Sequence, residues 1–194
     1  MARHARRLVG RKQFDEALQL AVRLGTDPEN GPARAVLVAE IESAKGAPER
    51  AVTVLEQAEA VNPADVGLLR ALAEARLRAG DLPGALDAVA TLKRLSSGSA
   101  ALASALQLEA SLKLGAGRVQ EALAALRQAH VVAPNDVAIL RLTADVAEAQ
   151  GEKARALDAL KKLEDLEPGN PTWRQRIEKI QSSIEERGAP GSAH

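Results

Sequence analysis

The chain has 194 residues, with 26 Lys and Arg against 26 Asp and Glu, so it carries no formal net charge and has no global attraction for nucleic acid or an anionic membrane. It has no cysteine, which excludes a disulfide framework, a thiolate zinc site and a thiol nucleophile while leaving both reducing and oxidising compartments open. Hydrophobic residues make up 46% but aromatics only 1%, so the core must be built from Ala, Leu and Val, which suits closely packed helices and not a β-sandwich.

In chain order, the apolar spacing predicts pairs of short helices. The first segment, about residues 1–30, is a truncated pair: Met1 to Gly10 spans only the second half of a first helix, either in nature or because the chain is a fragment with an added Met, and Phe14 to Leu24 forms the second. Pro28 follows one residue early. The opening is basic, with Arg3, Arg6, Arg7, Arg11 and Lys12 and no acid before Asp15. It reads as the solvated face of a helix, with an organellar presequence or an anionic contact as the alternative.

The second segment, residues 31–65, pairs a helix over Ala33–Lys45 with one over Glu49–Ala60. In the third, residues 66–99, Leu68–Ala79 precedes Pro83–Leu95, with Pro83 in a first turn, where it is tolerated. Ser96, Ser97, Gly98 and Ser99 then replace an expected Pro and hold three extra residues, which predicts a longer loop or a lengthened helix starting near Ala100. The fourth segment, residues 100–136, runs through Leu114, turns at Gly115–Gly117 and resumes over Val119–Val131. The fifth, residues 137–170, contains the cleanest copy, Leu140 to Pro168. A last helix over 171–187 carries Trp173, Ile177, Ile180 and Ile184 on one stripe, as a terminal cap requires, and residues 188–194 are expected to be a disordered tail. No run of 18 apolar residues exists to span a bilayer.

The segments share one ruler. In the fifth, Ala144 stands seven residues before Gly151, and Ala156, Leu160, Leu163 and Pro168 follow it. Sliding back by 34, with one adjustment of three, finds the anchoring alanines at Ala17, Ala51, Ala85, Ala122 and Ala156. The turn position holds Gly46, Gly80, Gly117 and Gly151, and Lys12 in the first copy. A glycine supplies the left-handed cap that ends one helix before the next begins. Alanine on both sides of the turn lets two helices cross closely. Asn62, Asp65, Asn135, Asp136 and Asn170 offer caps between pairs. A 34-residue period of two helices resembles the tetratricopeptide repeat family over the whole chain. The resemblance implies an all-α, right-handed α-solenoid of five helical hairpins, the first truncated, plus a C-terminal capping helix.

It also implies that the first helix of each hairpin lines a concave groove for a protein or peptide. The matching positions are Val36, Glu40, Arg70, Glu74, Leu77, Gln107, Ser111, Arg141, Asp145 and Glu148. The Lys and Asn set by which co-chaperone members clamp a C-terminal carboxylate is absent. Arg70 with Glu74 and Arg141 with Asp145 read either as partner-reading charges or as i,i+4 pairs within a helix.

Catalytic chemistry is not indicated. His4, His130 and His194 are scattered, no metal-ligand or nucleophile motif occurs, Gly115–Gly117 lacks the third glycine of a phosphate loop, and Glu164 with Glu167 or Glu185 with Glu186 sit on wet helix faces. No catalytic residue, cofactor or metal is therefore expected. The expected role is a non-enzymatic scaffold holding a partner protein or peptide, with no nucleic acid and no membrane span. The alternative is a stretch of a larger array, or self-association through an apolar edge left by the incomplete first hairpin. Family analogy adds a bacterial envelope secretion, pilus or polysaccharide-export adaptor. The compartment reads as cytoplasmic as the sequence stands, and periplasmic or outer-membrane-associated if a signal has been trimmed.

Overall fold

The computed structural model describes residues 2–23 and 31–188, with side chains through Ile184; Leu24, Pro28, His194, residues 189–194 and the side chains of Glu185 and Glu186 lie outside it. The described residues form eleven α-helices and no strand. They are α1 (Ala2–Gly10), α2 (Phe14–Arg23), α3 (Gly31–Ala44), α4 (Pro48–Val61), α5 (Val66–Arg78), α6 (Leu82–Leu95), α7 (Ser99–Gly115), α8 (Val119–Val132), α9 (Val137–Ala149), α10 (Lys153–Leu166) and α11 (Pro171–Gly188).

One turn geometry closes all five hairpins. After α3, the Gly46 N–H bonds the Ser43 carbonyl and the Ala47 N–H bonds the Glu42 carbonyl, each at 3.0 Å. The same pair of bonds recurs at Gly80, Gly117 and Gly151, and at Lys12 after α1. Satisfying those carbonyls requires a left-handed residue, and the glycines adopt φ between 70° and 83°. Lys12 adopts φ 61° in the same role, the one non-glycine with positive φ among the described residues.

The ten alanines flanking these turns are all buried, and Ala73 and Ala85, Ala110 and Ala122, and Ala144 and Ala156 are wholly so. With a methyl at each crossing, the paired backbones approach closely enough for the leucines around them to interlock. Each core cluster draws on one hairpin and on the first helix of the next. Leu55 of α4 packs with Leu68 and Leu72 of α5, Leu126 of α8 with Ile139 of α9, and Leu160 of α10 with Trp173 and Ile177 of α11. Burying one such leucine is worth about 1.5–3 kcal/mol, and most of it is lost when the next hairpin is removed. The hairpins therefore stack into a solenoid.

The three extra residues lengthen a helix. α7 has 17 residues where α3, α5 and α9 have 13 or 14, and it begins after Gly98 at φ 106°. Asp65 and Asp136 cap α5 and α9 as expected, accepting from the Leu68 and Ile139 N–H groups at 2.8 and 3.0 Å, while Asn62 instead closes the C-terminus of α4. In α11, Trp173, Ile177 and Ile180 are buried but Ile184 is 44% exposed. Its turn lies beyond the start of α10, where Lys153 Nζ reaches the Ser183 carbonyl at 2.8 Å.

At the first hairpin, Val9, Phe14, Leu18 and Leu20 are half-buried and Val22 is exposed. Ala5 and Leu8 turn inward against α2 and α3, and the exposed residues of α1 include Arg3, His4, Arg6 and Arg7. Its outer surface is basic, with Val22 of α2 the one large, well-exposed hydrophobic residue there.

Candidate partner groove

Over the first four hairpins the first helices lie side by side, α1 against α3, α3 against α5 and α5 against α7, while no comparable contact joins α7 to α9 or successive second helices among the described residues. The solenoid therefore curves with the first helices inside. Along that inner face, α3 and α5 enclose a hollow of about 540 Å³, with Val36, Ala39 and Leu55 in its lining and Glu40, Arg70 and Glu74 among its polar residues. A second hollow of about 290 Å³ follows between α5 and α7, lined by Arg70, Glu74, Leu77, Gln107 and Ser111. Arg70 and Glu74 border both, so the two form one groove. At the end of α7 the Leu77 side chain packs close to the backbone: a Cβ at Gly115 would lie 2.9 Å from Leu77 Cδ2, a contact the flexible leucine would have to shift to relieve.

Seven of the ten residues that sequence register assigns to the groove thus meet there. Their charges choose other partners than the Arg70–Glu74 and Arg141–Asp145 pairs that i,i+4 spacing suggested. Glu40 accepts two bonds from Arg6 of α1, at 2.8 and 3.0 Å, and this contact raises the Arg6 guanidinium above its ordinary pKa. Glu74 lies 3.6 Å from Arg78. Arg70, half-buried between the hollows, donates to Ser104 Oγ at 2.6 Å and has no carboxylate partner among the described residues. Arg6 and Ser104 escape a motif search, but each stands 34 residues from its partner, so the repeat period identifies both.

The remaining three, Arg141, Asp145 and Glu148, line neither hollow, because the cap engages them. Arg176 of α11 donates to Asp145 at 2.6 Å and Glu148 at 2.9 Å. Arg141 bonds both oxygens of Glu167 at 3.0 Å and sits 5.0 Å above the Trp173 ring. The indole N–H of Trp173 reaches Glu167 at 2.9 Å. Hydrogen bonds from Trp173 and Arg141 hold the Glu167 carboxyl below the ordinary carboxylate range. A sequence signal for this dock existed in the i,i+3 spacing of Asp145 and Glu148, which puts two carboxylates on one face of α9 where a single guanidinium can bridge them.

Among the described residues no three His, Asp or Glu side chains gather as a metal site would need, and no helix is long and apolar enough to cross a membrane. Glu164 binds Arg174 at 3.0 Å and Glu167 serves the cap, so neither stands as a free carboxylate in a cleft.

A curved stack of helical hairpins with a peptide-sized inner groove defines an α-solenoid of the kind that serves as a protein interaction scaffold. A sequence model described as Tetratricopeptide repeat matches residues 39–100 and 108–171, about two thirds of the chain, and the chain belongs to that family. No curated protein matches it by sequence. Among solved structures it is similar to a thermophilic TPR protein of Thermus thermophilus, with a TM-score of 0.65 at 20% identity over 92% of this chain and 96% of that one. TPR-like repeats of a putative kinesin light chain of Podosopora anserina give 0.62 at 20% identity, covering 86% and 92%. A tetratricopeptide repeat protein of Parabacteroides merdae gives 0.60 at 14% identity, covering 96% and 73%. At these identities the likeness is one of fold.

Proposed function

We propose that the groove over α3, α5 and α7 holds a segment of a partner protein and that the chain acts as a non-catalytic scaffold. The observation that carries this reading is Arg70, which borders both hollows without a carboxylate partner among the described residues while Glu40 and Glu74 each have a cation. A partner with an acidic side chain at that point supplies the missing counter-charge, and Val36 and Leu77 give its apolar residues somewhere to lie. Glu40, Gln107 and Ser111 complete the polar lining.

The test is affinity capture from the native source with the intact chain, then calorimetry on the captured partner's binding fragment. Arg70→Glu is expected to weaken that fragment at least about tenfold, because a charge-assisted contact is lost and a like charge takes its place. Equal affinity for the wild-type and Arg70→Glu chains would remove this groove from the reading. Light scattering addresses the alternative of a self-associating array, which predicts a mass that rises with concentration.

A further inference from the structure

The outer face carries a third hollow that the partner groove does not use. α8 and α10 splay apart there and leave about 410 Å³ over α9, with Leu123, Leu126, Leu140 and Ala159 in its lining. Its charged rim comes from two helices: Arg127 and His130 on α8, and Arg155, Asp158 and Lys162 on α10, while α9 contributes only Leu140 and Thr143.

Arg155 is neutralised by Glu152, whose carboxylate it contacts. Arg127, Lys162 and Asp158 make no ion pair among the described residues, which leaves an excess of one positive charge. Lys162 Nζ stands 2.9 Å from His130 Nε2 with no carboxylate between them, an ammonium donating to a neutral ring nitrogen. Burial, with Lys162 beside it, holds the His130 imidazole below its ordinary pKa. Lys162 thus has a neutral partner and no counter-charge among the described residues, which leaves its ammonium available to an anion.

We propose that this outer hollow binds an aliphatic monocarboxylate, its head between Lys162, His130 and Arg127 and its tail over Leu123, Leu126, Leu140 and Ala159. One net positive charge matches a monoanion and leaves a doubly charged head in excess. The floor has no aromatic ring to stack a planar ligand, and its leucines and alanine suit a flexible methylene chain. A half-open hollow of this size falls in the range of small-molecule sites. The carboxylate takes the Lys162 proton donor away from His130 and adds a negative charge beside the ring, so binding raises the His130 pKa.

The probe is octanoate, titrated into the full chain and followed by calorimetry and by the NMR signals of the His130 ring. Saturable binding is expected, with His130 titrating at higher pH in the complex than in the free chain. Lys162→Gln and Arg127→Gln, both exposed and checked for native circular dichroism, are each expected to weaken octanoate about tenfold. Octanol binding as tightly as octanoate, full affinity in both variants, or a His130 pKa that does not rise would each overturn the assignment. Tighter binding of octyl phosphate at pH 8 would refute the monoanion, and tighter binding of a leucine-terminated peptide would replace the small molecule with a polypeptide end.

Discussion

The Schellman-type turns offer a direct test of how the solenoid is built. Four hairpins close on a glycine at φ between 70° and 83°, and the first closes on Lys12 at 61°. A left-handed residue with a Cβ costs about 1–2 kcal/mol relative to its right-handed form. Lys12→Gly removes that cost and returns part of it by freeing the unfolded chain, so the net gain is about 0.5–1 kcal/mol. The reverse change, Gly46→Lys, loses a similar amount. Neighbouring atoms do not complicate the comparison, since a Cβ at Gly46 would meet nothing within 4 Å. Hydrogen exchange is the assay, because a solenoid opens from its ends and the amides of α1 and α2 report that opening directly. Lys12→Gly should slow exchange in α1 and α2 by about two- to fivefold and leave α9 and α10 unchanged. Unchanged or faster exchange in α1 and α2, or a Gly46→Lys chain as stable as wild type, would refute the claim that the turn's backbone requirement selects the residue.

Ala85→Leu places extra carbons at the crossing of α5 and α6, where Ala73 and Ala85 are wholly buried, and should cost at least about 1–3 kcal/mol in urea unfolding. Glu109 of α7 accepts from Lys113 and Lys93 at 2.7 Å each; burial pushes its carboxyl up, but those bonds outweigh burial and hold it below the ordinary carboxylate value. Its folded pKa is depressed, so its contribution is complete above the unfolded value of 4.5 and is lost as pH falls through the folded one. The stability gap between wild type and Glu109→Gln, about 1–2 kcal/mol at pH 7, should therefore shrink as the pH falls below 4.5. Glu167→Gln removes the carboxylate that Trp173 and Arg141 share, and the fluorescence of this single tryptophan should move toward that of an exposed indole at lower urea than in wild type.

The fold was legible because its determinants are local and recur. Alanine at both crossing positions, a turn residue between them and a period of 34 specify a hairpin that cannot bury its leucines alone, and stacking is the one way to cover them. Even the irregularity at Ser96–Ser99 could be located by counting. The charges were less legible, because a long side chain chooses among partners brought close only by stacking. Arg70 and Arg141 occupy equivalent positions with an acid four residues on, yet Arg70 borders an open groove while Arg141 is engaged by Glu167 and Trp173. The difference is whether a capping helix lies alongside. Period and side-chain size marked the inward residues at the helix crossings, where burial is set within the hairpin, but not at Ile184, which is 44% exposed. Only the tertiary structure decided which surface charges remain unpaired, on the inner face at Arg70 and on the outer face around Lys162, because pairing depends on helices up to 34 residues away.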